Sequence, residues 1–556
     1  MNKKVLIVGG VAGGASCAAR LRRLDEQAEI IMFERGEYIS FANCGLPYHI
    51  GGTIKKRDYL LLQTPESFNS RFGVDVRIKS EVVSIDKDNK TVKVKNIENG
   101  NEYNESYDIL VLSPGSSPIK PPIEGIDNKR IMTLWNIPDM DEIMQFIDEE
   151  KPKSAVVVGG GFIGIEMAEN LVDIGIDVTI VEMMDQVMTP IDMDMAQILH
   201  KHLSEKGVKL VLGDGVKSFK DNQKSVNINT QCGKNIDADL VILSIGVRPN
   251  SKLAKNSGLE INDRGGIIVN DKLKTNDLSI YAVGDSVEVT DFVTKQKAMI
   301  PLAGPANKMG RMAADNICEL NRKYNGTQGS AVAKVFDLTV ANTGQNQKQL
   351  EARGLKINKD YKITLLHPMS SAGYYPGGKP MTLKLIFDMQ GKVLGAQSVG
   401  YVGVDKRIDV IATAIRFGAT IYDLEELELC YAPPYSSAKD PVNMVGFSAE
   451  NILNGTVNNI SYDEIKELKE NQVMLDVRTL GEVKAGAVKG SINIPVDELR
   501  ERINELDKTK EYIVYCAVGI RAYIACRILM QNGFKNTRNL AGGYTTYSVV
   551  SVDYTS

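Results

Sequence analysis

VLIVGGVAGGASCAARLRRL (residues 5–24), followed by IIMFERG (30–36), decides how this 556-residue chain is read. An apolar strand enters a glycine-dense turn, a helix follows, and a second strand ends at Glu34, twenty residues after Gly14. This is the spacing of a dinucleotide-binding fold. Its glycines let the backbone approach a pyrophosphate, which the helix start stabilises, while the acid bonds ribose hydroxyls. Gly9, Gly10, Ala12, Gly14, Glu34 and Arg35 are therefore the expected lining of a first site, with Val11 standing where the usual pattern has its middle glycine. Lys3-Lys4 before an apolar run superficially resembles a secretory leader, but four glycines make that run a poor apolar helix.

A second copy, AVVVGGGFIGIEMAENLVDIGIDVTIVE (155–182), keeps Gly159, Gly161 and Gly164 and ends its next strand at Glu182. An acid there repels a 2′-phosphate and favours NADH over NADPH. Two such units about 150 residues apart carry far more weight than one glycine loop.

Length and composition set the frame. At roughly 150 residues per domain the chain holds three to four. Its 66 Lys and Arg against 70 Asp and Glu give no bulk field that would favour nucleic acid or an anionic membrane. No stretch approaches the roughly 18 apolar residues of a spanning helix. Seven cysteines lie scattered without paired spacings, which suits a reducing cytoplasm and thiols used for chemistry. No metal is expected.

With these motifs in place, the chain resembles the two-dinucleotide flavoproteins of the pyridine nucleotide disulfide oxidoreductase family. TNDLSIYAVGD (275–285) is similar to that family's second FAD motif, in which the aspartate, here Asp285, bonds the ribityl chain. YDILVLSPGSSP (107–118), with Ser113 and Gly115, and LVILSIGVRPN (240–250) resemble the strands that close the two nucleotide domains. The resemblance implies FAD and NADH as cofactors.

SFANCGLPY (40–48) resembles the family's single-cysteine branch, because Cys44 has no second cysteine within the motif. That branch holds NADH peroxidase, NADH oxidase, coenzyme A disulfide reductase and NADH-dependent persulfide reductase. Peroxidases and oxidases typically carry a histidine in the first glycine loop, where this chain has Val11-Ala12. If a helix begins at GLPY, its dipole would hold Cys44 as a thiolate.

Ser16, Arg20 and Arg23 stand at i, i+4 and i+7 on the first helix, a stripe suited to a phosphate-rich ligand. The resemblance to coenzyme A disulfide reductases extends this handle to Ser40, Asn43 and Asn307. Residues 329–447 resemble the family's dimerisation domain and end in YAPPYSSAKDPVNMVGF (431–447). By resemblance Tyr431 would lie near the flavin and Cys44 of a second subunit, Lys439 would meet coenzyme A phosphate, and Tyr374 would donate to the leaving sulfur. Spacing does not separate Tyr374 from the adjacent Tyr375.

Beyond Asn454-Gly455 the segments SYDEIKEL, VMLDVRTLGEV, GAVKGSINIPVDEL, YIVYCAVGIRAYIACRILMQNGF and NLAGGYTTY resemble a rhodanese domain in order. CAVGIR (516–521) fits a loop whose amides converge on Cys516, with Arg521 adding positive charge. Ala487 replaces the histidine usual in the preceding segment.

The expected architecture is α/β: an FAD-binding domain (1–150 and 276–328), an NADH-binding domain (151–275), an α+β dimerisation domain (329–447), a linker (448–458) and an α/β rhodanese domain (459–556). The expected function is NADH- and FAD-dependent reduction of coenzyme A disulfide, persulfide or polysulfide, with coenzyme A as substrate or bound ligand, in a cytoplasmic homodimer. The alternatives are an NADH oxidase and a slow redox-sensing or sulfur-relay module.

Overall fold

A computed structural model describes residues 3–555. Two compact units emerge, one of Met1–Met183 with Gly213–Gly329, the other of Met184–Leu212 with Ser330–Ser556.

In the first unit, strand Lys4–Val8 pairs in parallel with Glu29–Phe33 and Ile109–Leu112, and the sheet continues through Asp75–Arg77 on one edge and Ile280–Ala282 on the other. Such strands are covered on both faces, so they read as unbroken apolar runs. Val5, Leu6 and Ile7 are fully buried. Helix Ala12–Leu24 packs over them through Ala15, Ala18 and Leu21. The glycines are steric requirements: Gly9 has φ +100° and a Cβ there would strike the Ser113 carbonyl, while a Cβ on Gly14 would strike the carbonyl of Gly9. The second sheet repeats this plan, with Ser154–Val158 flanked in parallel by Asp177–Val181 and Leu240–Leu243. Gly159 and Gly164 repeat the same close approaches.

In the second unit, five antiparallel strands run in the order Ala331–Val335, Leu338–Gly344, Val393–Gly400, Met381–Asp388, Tyr361–Leu366. Helix Met193–Glu205, from a segment adjoining the second glycine fold in sequence, groups with this sheet. The cause is ionic. Lys384, 1% exposed, lies 3.0 Å from Asp192 and 2.9 Å from Asp194, and Gln397 donates to Asp192 at 2.7 Å. Burial opposes the lysine's charge, and the two carboxylates more than reverse that effect.

The last domain is a parallel sheet ordered Asn459–Ile460, Thr537–Leu540, Glu511–Tyr515, Gln472–Asp476, Ile492–Asn493. Its central strand Glu511–Tyr515 is buried almost throughout and delivers Cys516 at its carboxyl end, where open parallel sheets place ligands. His367, from the neighbouring antiparallel domain, links Thr382 (3.0 Å) and Thr546 (2.8 Å) through its two ring nitrogens. Burial lowers its pKa to about 4, so it is neutral at ordinary pH. No helix among the described residues is long and apolar enough to cross a membrane.

Lys384→Met strands two buried carboxylates without their cation. Losing one partner of a buried ionic cluster costs about 3–5 kcal/mol, so the variant should unfold at clearly lower urea than the parent. An unchanged midpoint would contradict this role for the lysine.

Candidate functional site

The two glycine loops carry the same device. Glu34 accepts from the Gly10 amide at 2.9 Å and the Gly36 amide at 2.8 Å; Glu182 accepts from the Gly160 amide at 2.6 Å. Each strand-end acid therefore stands at the mouth of its loop. Arg35 follows Glu34 as an exposed side chain. Ser113 and Gly115 lie in the turn after strand Ile109–Leu112, Gly115 with φ +64°. The first site fits a bound flavin dinucleotide on two further observations. The buried hydroxyl of Ser286 has no hydrogen-bond partner, and burial raises the pKa of the adjacent Asp285, an effect that a hydrogen bond with Ser116 opposes. Such groups are polar functions awaiting a ligand.

Cys44 sits in the 3₁₀ turn Asn43–Gly45, ahead of the five-residue helix Leu46–Ile50. Ser40 adopts φ +45° and donates its amide to Gly10, which ties the cysteine segment to the first glycine loop. Asn43 donates to the Trp135 carbonyl at 2.8 Å. The expectation that a helix dipole holds Cys44 as a thiolate is not met. The helix is too short to carry much dipole, and partial burial, then Glu166, then Asp285 push the thiol's pKa up.

Glu166 is a site residue that sequence reasoning did not single out. It lies on helix Phe162–Asp173 of the second nucleotide fold and accepts from the Tyr48 hydroxyl at 3.3 Å. Burial raises its pKa to about 7, with Glu169 adding to the shift and the Tyr48 bond opposing it. Neither residue is adjacent in sequence to the other, so no motif joins them.

On the proposed coenzyme A face, Ser16 donates to Asn307 at 2.5 Å, bringing two of the expected residues together. Arg20 pairs through Nε with Asp315 at 2.7 Å, and Arg23 is exposed. In the second unit the Tyr374 and Tyr431 hydroxyls lie 3.0 Å apart, which distinguishes Tyr374 from Tyr375. Their segment is anchored by Asp440, which accepts from Arg407 at 2.9 Å and Ser436 at 2.6 Å, leaving Lys439 exposed beside it.

Cys516 is fully buried, and the Gly519 amide donates to its sulfur at 3.1 Å. Gly519 has φ +112°, a conformation that a side chain resists. The loop is held from outside: Tyr544 and Thr545 amides donate to the Cys516 and Ala517 carbonyls at 2.8 and 2.9 Å. Arg521 forms a two-pronged pair with Glu482 at 2.6 and 2.7 Å. That pair holds Glu482 down to about 2 and raises the arginine's pKa, to which Cys516 also contributes. Behind the loop, buried Asp476 and Arg478 pair at 2.6 Å.

Because Glu166 bears directly on Cys44, Glu166→Gln should move the pH midpoint of Cys44 alkylation downward in the reduced holoprotein, read by peptide mass spectrometry. A midpoint that stays in place would show that the carboxylate does not control the thiol.

Comparison with known proteins follows this layout. Residues 3–310 match the family model of the pyridine nucleotide-disulphide oxidoreductases, 330–441 match that family's dimerisation domain, and 461–549 match the rhodanese-like domain. The chain is 52% identical to the reduced Bacillus anthracis CoADR-RHD structure, with a TM-score of 0.96, covering 99% of this chain and 98% of that one. It is 38% identical to an NAD-dependent persulfide reductase from A. fulgidus, TM-score 0.92, over 98% of this chain and 100% of the other. Coenzyme A disulfide reductase from Staphylococcus haemolyticus is 38% identical over 81% of this chain and its own full length. The chain belongs to the pyridine nucleotide-disulphide oxidoreductase family and carries a rhodanese-like domain at its carboxyl end.

Proposed function

We propose that this protein is an FAD-dependent, NADH-using reductase of coenzyme A disulfides or coenzyme A persulfides and polysulfides, working through Cys44 and coupled to sulfur transfer at Cys516. The observation that carries this reading is the pairing of a redox cysteine without a neighbouring cysteine and a second, loop-cradled cysteine in one chain. All seven cysteines are free, in keeping with a reducing cytoplasm. The match of 330–441 to a dimerisation domain supports a homodimer.

Held along Gly9, Gly10, Gly14, Glu34 and Asp285, FAD would supply two-electron chemistry between NADH and a disulfide at Cys44. The chain's own part is nucleophilic. Cys44 as thiolate attacks the outer sulfur of the substrate, a Cys44–sulfur bond forms, the substrate S–S bond breaks, and the displaced sulfur leaves with a proton. Glu166 sets the thiol's readiness: protonation of its carboxyl removes the negative charge that favours the thiol form. The paired phenols of Tyr374 and Tyr431 are the proposed proton source for the leaving sulfur, and Ser16, Arg20, Arg23, Ser40, Asn43, Asn307 and Lys439 remain the proposed contacts for coenzyme A. In the rhodanese domain the Gly519 amide and Arg521 stabilise a thiolate or persulfide on Cys516.

Cys44→Ser should abolish NADH-dependent reduction of coenzyme A disulfide and persulfide under anaerobic conditions while flavin stays bound. Cys516→Ala should abolish thiocyanate formation from thiosulfate and cyanide. Oxygen-dependent NADH loss that needs no disulfide and survives Cys44→Ser would overturn the reductase reading in favour of an oxidase.

A further inference from the structure

Cys516 has no exposed surface. A large thiol therefore reaches it only if its sulfur rides on a slender arm while its bulk rests elsewhere. One place on the rhodanese domain is shaped for that bulk. A cavity of about 420 Å³ opens between helix Leu499–Arg502 and helix Ile520–Gln531, within the size range of small-ligand pockets of roughly 300–1,000 Å³.

Its lining is cationic and apolar. Arg500 and Arg527 contribute two guanidinium groups, Tyr523, Ile524 and Ile528 give an aromatic and aliphatic wall, and Gln531 offers an amide; no carboxylate lines the cavity. Of the acids near Arg500 in sequence, Glu498 and Glu505 are paired with Arg502 at 2.9 and 2.7 Å, and Glu501, next to Arg500 on the helix, is not part of the lining. Arg527 spends one nitrogen on the Thr456 carbonyl (2.7 Å), and the Tyr523 hydroxyl donates to Asn451 at 3.2 Å, so both side chains are set in place from behind. Two fixed or free guanidiniums over an apolar wall suit phosphate groups attached to a flat aromatic base.

The helix that walls the cavity begins at the loop of the nucleophile. Ile528, Ile524 and Ile520 recur every four residues and share one stripe, which becomes more exposed toward the loop, from 7% to 41% to 62%. Ile520 opens the helix four residues after Cys516. Arg527 and Ile520 are separated by roughly 10 Å of helix rise.

We infer that this groove binds the phosphorylated adenosine end of coenzyme A, with its thiol arm laid along the isoleucine stripe toward Cys516. The inference rests on the sulfur-transfer reading above and names its acceptor. In the step it serves, the coenzyme A thiol attacks the terminal sulfur of the Cys516 persulfide. A new S–S bond forms on coenzyme A, the old one breaks, Cys516 leaves as thiolate, and the thiol's proton passes to the coenzyme A persulfide; no net electrons are exchanged.

The test is sulfur transfer from thiosulfate by the full-length holoprotein without NADH, comparing coenzyme A with cyanide as acceptor. Arg500→Glu should raise the KM for coenzyme A so that the ratio of coenzyme A persulfide to thiocyanate formation falls at least tenfold. Arg527→Gln should act in the same direction. Adenosine 3′,5′-bisphosphate should compete with coenzyme A in the parent protein and lose its effect in Arg500→Glu. Equal losses with both acceptors, an unchanged KM for coenzyme A, or inhibition by inorganic sulfate as strong as by the bisphosphate would overturn the groove. A parent protein that makes thiocyanate but no coenzyme A persulfide would overturn the groove and leave Cys516 as a sulfurtransferase. A parent protein that makes neither would overturn the sulfur-transfer reading with it.

Discussion

A sulfur without a cysteine neighbour has to find its bonding partner in the substrate, and the surroundings of Cys44 follow from that constraint. The thiol is exposed enough to be attacked and to attack, while burial, then Glu166, then Asp285 push its pKa up. Reactivity is then conditional on events at the site. Glu166, whose pKa burial raises to about 7, comes from the second nucleotide fold, and Asp285 from the first, so the charge around the sulfur is set jointly by both glycine-loop domains.

Cys516 solves the opposite problem. It is buried, stands at the carboxyl end of a central parallel strand, and receives an amide hydrogen bond from a loop that only glycine closes comfortably. The positive charge of Arg521 is held in place by Glu482, and the loop's carbonyls are tied to the helix Gly543–Val550. His367 bonds to Thr546 on that helix, so the antiparallel domain braces the wall of the sulfur-carrying loop. A buried, preorganised sulfur suits the holding of a labile persulfide; an exposed, tunable one suits exchange with a large disulfide.

The parts legible in the sequence were those fixed by short-range geometry. Gly9 and Gly14 are required by carbonyls that a Cβ would strike, so their spacing survives as a readable pattern, and Glu34 and Glu182 follow because a strand of set length places them at the loop mouth. CAVGIR was readable for the same reason. What sequence left open was held by contacts between distant segments. Tyr48 and Glu166 are 118 positions apart, and only the packing of two helices joins them. Tyr374 became distinct from Tyr375 through a hydroxyl on Tyr431, which no local spacing encodes. The thiolate expectation for Cys44 failed because GLPY begins a helix of only five residues and because the opposing carboxylates arrive from elsewhere in the chain. Helix Met193–Glu205 joined the antiparallel sheet through Lys384, an attraction invisible until both acids and the lysine are folded together.

The central claim is that electrons leave the flavin through the one sulfur at Cys44. Anaerobic titration of the holoprotein, loaded with a coenzyme A mixed disulfide, measures this directly by counting NADH consumed per subunit. The account requires one more NADH to be consumed than the flavin alone takes, with release of one coenzyme A thiol. Reduction complete at the flavin's own equivalent, with the mixed disulfide intact by mass spectrometry, would contradict it.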